Sequence, residues 1–101
     1  MAITISSKQL VEEANAKIKT LSLEEAKEKF GQDDVQFVDI RDVRELEREG
    51  TIPGALHAPR GMLEFWVDPD SLYFKPVFAE DKQFIFYCQS SWRSALSVAA
   101  L

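Results

Sequence analysis

The stretch QFIFYCQSSWRSALSVAAL, residues 83–101, decides the fold, because it changes from a strand pattern to a helix pattern at a single point. Its first six residues are nearly all apolar or aromatic, which is typical of a strand buried on both faces. From Ser91 onward, apolar residues recur at helical spacing. Cys88, the single cysteine, lies at the junction. The stretch therefore predicts a strand, a turn that holds a thiol, and a helix.

The rest of the chain continues this alternation of strands and helices. VQFVDI at residues 35–40 predicts a second buried strand, and ALHAP at residues 55–59 a short one. Three capping-box patterns predict where helices begin. Ser6 with Gln9 predicts a helix at residues 6–19, Ser22 with Glu25 one at residues 23–30, and Asp42 with Glu45 one at residues 42–49. One or two helical turns are expected at residues 61–67, followed by an irregular segment at residues 68–82. This order predicts an α/β fold with a central parallel sheet and helices on both faces.

Composition and charge restrict the class of protein. A chain of 101 residues is sufficient for one domain. Its net charge of −5 and pI near 4.8 argue against nucleic acid or an anionic membrane as partner. No apolar run approaches the roughly 18 residues that span a bilayer, and the N-terminus lacks a secretory pattern. The single cysteine fits a reducing compartment, which predicts a cytoplasmic protein.

The same composition bears on metals and cofactors. One cysteine and one histidine are too few for the usual four-ligand zinc site, so no metal is expected. No cofactor is expected either.

The chemistry is predicted to lie where the strands end, because ligands of open parallel sheets bind at the carboxyl ends of the strands. Arg41, Arg60 and the segment from Cys88 to Arg93 follow the three predicted strands. A thiol before a helix N-terminus and near an arginine is stabilised as a thiolate. This arrangement predicts a nucleophilic cysteine in an anion-binding site. The alternative is that Cys88 is only a small apolar residue that ends a buried strand.

Two motifs resemble those of the single-domain rhodaneses, a family of sulfurtransferases. The first is Asp-x-Arg-Asp, x-x-Glu and Gly-x-Ile-Pro-Gly-Ala, here spread over residues 39–55. The second is a cysteine, four residues, then arginine and serine, here Cys88, Arg93 and Ser94. The resemblance extends from about residue 20 to residue 101 and implies a three-layer α/β/α fold. Residues 1–19 are then an N-terminal helical extension.

The resemblance implies that Cys88 takes a sulfane sulfur from a small anionic donor such as thiosulfate, becomes a persulfide, and passes the sulfur to a thiophilic acceptor such as cyanide or a thiol. Cys88 and Arg93 are the implied catalytic residues. The implied substrate-binding residues are Gln89, Ser90, Ser91, Trp92 and Ser94 of the loop, together with Arg60 and Arg41. Two positions depart from the family pattern. Thr51 replaces a common histidine, and Ser91 replaces a common glycine.

Several alternatives stay open. Arg41 is expected either in the pocket or in a structural pair, and Trp92 either in the pocket wall or in the core. A non-catalytic sulfur-carrier or interaction module is the alternative function. A phosphatase or arsenate reductase is a further one, although such relatives carry five residues between cysteine and arginine.

The last helix is apolar and has no stop signal at its end. Family domains continue into another strand, so we expect the C-terminal strand and closing segment to be absent here. A homo-oligomer in which a partner chain supplies that strand is one expected consequence.

Overall fold

The computed structural model describes residue 2, residues 4–89 and residues 92–101. Within that part of the chain, α-helices and strands alternate from β1 onward. The α-helices are α1 (Ser7–Lys17), α2 (Leu23–Lys29), α3 (Val43–Glu49), α4 (Leu63–Val67) and α5 (Trp92–Ala100). The strands are β1 (Val35–Asp39), β2 (Leu56–His57) and β3 (Gln83–Tyr87). Short 3₁₀ helices cover Arg60–Met62 and Pro76–Ala79.

The three strands form one parallel sheet in the order β2-β1-β3. Asp39, the last residue of β1, lies opposite His57 of β2 and Tyr87 of β3. Parallel neighbours need crossover connections, and α3 and α4 lie in those connections. The predicted α/β class with a central parallel sheet is confirmed. Among the described residues, β3 pairs with β1 alone.

Side-chain caps fix the starts of the first three helices. The Ser6 hydroxyl accepts from the Gln9 amide, and complete capping boxes open α2 at Ser22 and α3 at Asp42. These contacts satisfy amides that have no partner inside the helix. The predicted helix boundaries differ from the observed ones by one or two residues.

One expectation for the connections is wrong. The segment at residues 68–82 is not wholly irregular, because a 3₁₀ helix covers Pro76–Ala79. Its first residue is the proline, whose fixed φ angle suits the start of a helix.

Both faces of the sheet are covered by helical structure. Val38 of β1 belongs to the buried core with Leu63 of α4, and Ile40 and Ala58 complete that cluster. Phe37 points to the opposite face, because successive strand residues alternate. Its ring meets Phe30, directly after α2, at a centroid distance of 6.2 Å. These contacts explain why β1 reads as apolar on both sides.

The N-terminal helix α1 packs against α5, the helix that follows Cys88. Ala14 in α1 retains only 4% of its exposure, although most of this helix is polar and exposed. The first helix therefore supports the element next to the thiol. No helix in the described ranges has the length and apolar character needed to cross a membrane.

Candidate active site

A cavity of about 440 Å³ opens beside Cys88, where β1 and β3 end. The in-register pairing of Asp39 with Tyr87 places the residues that follow these two strands side by side. A loop after α3 closes the other wall. The lining residues are Arg41, Glu49, Gly50, Thr51, Ile52, Pro53, Tyr87 and Cys88. We call this space the Cys88 cavity.

The Cys88 thiol lies against the first turn of α5. Its Sγ atom is 3.4 Å from the backbone nitrogen of Ser94, which donates to it, and 3.5 Å from the Ser94 hydroxyl. Amides in the first turn of a helix lack intrahelical acceptors and carry the positive end of the helix dipole. The amide favours a negative charge on the sulfur, and the Ser94 hydroxyl, which accepts from the thiol, is placed to donate to the sulfur once the thiolate forms. Cys88 is half-buried and also packs against the apolar core.

Arg93 directs both of its terminal nitrogens to Glu45. Nη1 is 2.6 Å from Oε1 and Nη2 is 2.9 Å from Oε2, a bidentate pair that links α5 to α3. The hydrogen bonds from Arg93 lower the pKa of Glu45 to about 2. The pKa of Arg93 is raised, chiefly by these bonds and to a smaller extent by Coulombic attraction to Cys88. Arg93 therefore acts on the sulfur as a nearby charge, with its planar fork held by Glu45.

Arg41 forms a buried structural pair with Asp39. Its Nε and Nη2 atoms donate to the two Asp39 oxygens at 3.0 and 2.8 Å, and Nη2 also donates to the Gly50 carbonyl at 2.6 Å. Burial raises the pKa of Asp39, but hydrogen bonds, led by those from Arg41, outweigh it and lower the pKa to about 2. Arg41 is therefore a paired residue that also lines the Cys88 cavity.

A chain of hydrogen bonds joins the loop after α3 to the ends of β1 and β3. The Ile52 amide donates to the Tyr87 hydroxyl at 3.2 Å, and that hydroxyl lies 2.7 Å from Thr51 Oγ1. Thr51 donates its own proton to Asp39 at 3.0 Å, so Tyr87 is the donor to Thr51. Burial raises the pKa of Tyr87, which keeps its hydroxyl protonated for this role. The chain fixes the cavity wall that faces Cys88.

Other residues expected at the site lie elsewhere or are exposed. Arg60 pairs with Glu64 one turn further along the chain and is not among the residues that line the Cys88 cavity. Gln89 is exposed, and Trp92 is 64% exposed, so the expectation of Trp92 as a core residue is wrong. Ser90 and Ser91 lie outside the described residues.

Comparison with known proteins places the chain in a family. A family model described as the rhodanese-like domain matches residues 22–101. The chain belongs to the rhodanese-like domain family. No match was found among curated proteins.

One solved structure resembles this rhodanese-like domain with a TM-score of 0.92. It is a protein of unknown function from Rhodopseudomonas palustris CGA009, described as a possible tyrosine phosphatase. The two sequences are 51% identical over 99% of this chain and 77% of the other chain. The similarity therefore includes α1, which lies before the part matched by the family model.

Three residues of this rhodanese-like site were not anticipated as site residues. The sequence predicts Glu45 as a helix cap and as the glutamate of the first motif, whereas in the structure it also holds Arg93. Thr51 was noted only as a departure from the family pattern, and Tyr87 only as part of a strand. One usable signal existed for Tyr87, because a polar-tipped side chain at the end of a buried strand usually finds a partner. The sequence carries no comparable signal for the pairing of Arg93 with Glu45.

Proposed function

We propose that this rhodanese-like protein is a sulfurtransferase that works through a persulfide on Cys88. The observation that carries the proposal is the position of Sγ, 3.4 Å from the Ser94 amide in the first turn of α5. A thiol held there has its anion stabilised by the amide, the helix dipole and the nearby Arg93, without a histidine base. The same donors stabilise the terminal sulfur of a persulfide anion.

The reaction with thiosulfate as donor needs only this nucleophile. The Cys88 thiolate attacks the outer sulfur of thiosulfate, a sulfur–sulfur bond forms on Cys88, and the bond to the sulfonate sulfur breaks. Sulfite leaves with the electron pair, and Cys88 carries a persulfide anion. Cyanide then attacks the terminal sulfur, thiocyanate leaves, and the thiolate is restored. Atoms and charges balance in both steps, and no further oxidant or reductant is required.

A phosphatase is the second candidate, because the similar protein from Rhodopseudomonas palustris is described as a possible tyrosine phosphatase. Two features favour sulfur over phosphate here. Only four residues separate Cys88 from Arg93, where phosphatases on this fold carry five, and a shorter loop makes a smaller ring of amides. In addition, both terminal nitrogens of Arg93 face Glu45. We expect no hydrolysis of aryl phosphates, and steady phosphate release that depends on Cys88 would favour the phosphatase.

The test is the intact mass of the protein after treatment with thiosulfate. We expect a gain of one sulfur atom that cyanide removes, together with the formation of thiocyanate. Cys88→Ser should show neither, and because Cys88 is the single cysteine, no other thiol competes. Sulfur that is acquired equally by the serine variant would refute the assignment. A persulfide that forms but never turns over would instead indicate a sulfur-carrier module.

A further inference from the structure

The helix α1 lies before residues 22–101, which form the rhodanese-like domain, and yet it packs beside the candidate active site. Among the described elements, α1 contributes the largest part of the packing around α5. The helix α5 begins at Trp92 and carries the Ser94 amide that donates to the Cys88 thiol. A segment outside the domain therefore contacts the helix that stabilises the thiolate.

One narrow face of α1 is covered by this packing. Val11 and Ile18 are half-buried and Ala14 is 4% exposed, and their spacing places all three on one side of the helix. The other residues of α1 are exposed. Ala14, at the centre of the covered face, presents only a methyl group, and so it lets the two helices approach closely.

The buried residues of α5 are small as well. Ser94, Ala95 and Ser97 are buried, and the Ser97 hydroxyl donates to the Arg93 carbonyl at 2.7 Å within the helix. Because protein interiors are closely packed, short side chains leave few flexible atoms to absorb a displacement. A change in the contact with α1 should therefore move α5 as a unit, together with its Ser94 amide.

The interaction of α5 with the thiol is sensitive to such a movement. The Ser94 nitrogen lies 3.4 Å from Sγ, and the effect of a helix dipole is confined to the first turn. The bidentate pair of Arg93 with Glu45 ties the start of α5 to α3, whereas α1 supports the body of the helix. Without that support, the direction of the amide toward Sγ is fixed less firmly.

We propose that α1 positions Cys88 for reaction and that Ala14 is the positioning residue at the centre of this contact. Close packing at Ala14 holds α5 where the Ser94 amide stabilises the thiolate, so the effect passes through α5. This inference deepens the proposed function and rests on it in one respect, since Cys88 is taken as the reacting group. Residues outside the rhodanese-like domain then help to set the thiolate fraction, on which the reactivity of a cysteine depends.

A matched pair of substitutions in α1 tests the proposal. Ala14→Leu adds volume at the buried contact, and leucine is a good helix former. Ala16→Leu is the control, because it makes the same change at an exposed position of the same helix. The rate of alkylation of Cys88 by iodoacetamide is measured across a wide pH range. We expect Ala14→Leu to move the pH midpoint of alkylation upward by about half a unit, and Ala16→Leu to leave it unchanged.

Charge does not account for such a shift, because neither substitution alters a titratable group. The titratable and charged groups that line or border the Cys88 cavity are the same in all variants: Arg93 with Glu45, Arg41 with Asp39 and Glu49, His57 and Tyr87. A shift of the midpoint therefore reports a change in the position of the donors around the sulfur.

Two further variants keep the test independent of folding defects. Val11→Ala removes packing surface without adding volume, so it decides the question if Ala14→Leu does not fold. It should shift the midpoint in the same direction by a smaller amount. Ala14→Ser nearly preserves the volume at this position and should keep the wild-type midpoint. Circular dichroism and urea unfolding show that each variant is folded under the conditions of the alkylation.

The outcomes separate a positioning role from simple stabilisation. An unchanged midpoint in Val11→Ala and in folded Ala14→Leu would overturn the proposal, even if both variants unfold at lower urea concentrations. An equal shift in Ala16→Leu would also overturn it. The alkylation needs no sulfur donor, so failure of the proposed function is seen separately. If wild-type Cys88 acquires no sulfur from thiosulfate, the sulfurtransferase assignment fails, whereas a shifted midpoint in Ala14→Leu still supports the role of α1.

Discussion

Replacing Asp39 with asparagine should destabilise the fold by about 3 kcal/mol, near the lower end of the range for breaking a buried ion pair. Asp39 is fully buried and Arg41 is 7% exposed, so the guanidinium has little access to water once its partner is neutral. Asparagine keeps one acceptor oxygen but turns an N–H group toward the arginine. A loss of this size is a large part of the roughly 5–15 kcal/mol that stabilises a domain.

The pH dependence gives an independent measure of the same pair. Folding lowers the pKa of Asp39 from 3.8 to about 2, a difference that corresponds to about 2 kcal/mol. Because the folded value is the lower one, this stabilisation is complete above pH 3.8 and is lost as the pH falls toward 2. The free-energy difference between the wild type and Asp39→Asn should therefore narrow over that interval.

Urea unfolding followed by circular dichroism at pH 7 and pH 3 tests both values. Asp33→Asn serves as the control, because Asp33 is an exposed aspartate in the turn before β1. The control should stay within about 0.5 kcal/mol of the wild type. A loss below 1 kcal/mol in Asp39→Asn at pH 7, or a difference that does not change with pH, would refute the reasoning.

Three further variants test the contacts around the thiol. Arg93→Ala removes the cation that Glu45 holds near the sulfur and should slow sulfur transfer by at least about tenfold. Arg93→Lys should restore only part of the rate, because lysine lacks the planar fork of arginine. Full activity in the alanine variant would exclude Arg93 from the site. Ser94→Ala keeps the amide but removes the hydroxyl beside Cys88. Alkylation of the Cys88 thiol by iodoacetamide at pH 7 should therefore slow by about threefold. An unchanged rate would show that the amide alone stabilises the thiolate. Thr51→Val interrupts the hydrogen-bond chain and should lower the free energy of unfolding by about 1–2 kcal/mol, whereas a neutral effect in urea unfolding would show that the chain contributes nothing to stability.

Local patterns were sufficient to predict most of the fold. The capping pairs Ser22–Glu25 and Asp42–Glu45 involve residues three apart, so the sequence alone contains both partners. The run at residues 35–40 reads as a doubly buried strand because its side chains meet helical structure on both faces. The 3₁₀ helix at Pro76–Ala79 was not foreseen, because four residues are too few to show a periodicity.

The site was predictable only where topology decides it. The rule that parallel strands end at one edge places Cys88 and Arg41 near a common cavity, as the structure shows. Pairing across the chain was not predictable. Arg93 and Glu45 are 48 residues apart, and Thr51 and Tyr87 are 36 apart. Arginine can pair with any of several carboxylates, so a sequence without its fold does not specify which one.

The packing of α1 on α5 has a consequence for the order of folding. This contact joins residues 7–17 to residues 92–100, so it closes almost the longest loop that the chain allows. Contacts so distant in sequence form late, because the loop entropy must be overcome before they contribute. The helix that offers its amide to Cys88 is thus secured last, and we expect rapid alkylation of the thiol to appear only in the final kinetic phase of refolding. Until that phase, the sulfur should carry only the small thiolate fraction of an ordinary cysteine at neutral pH.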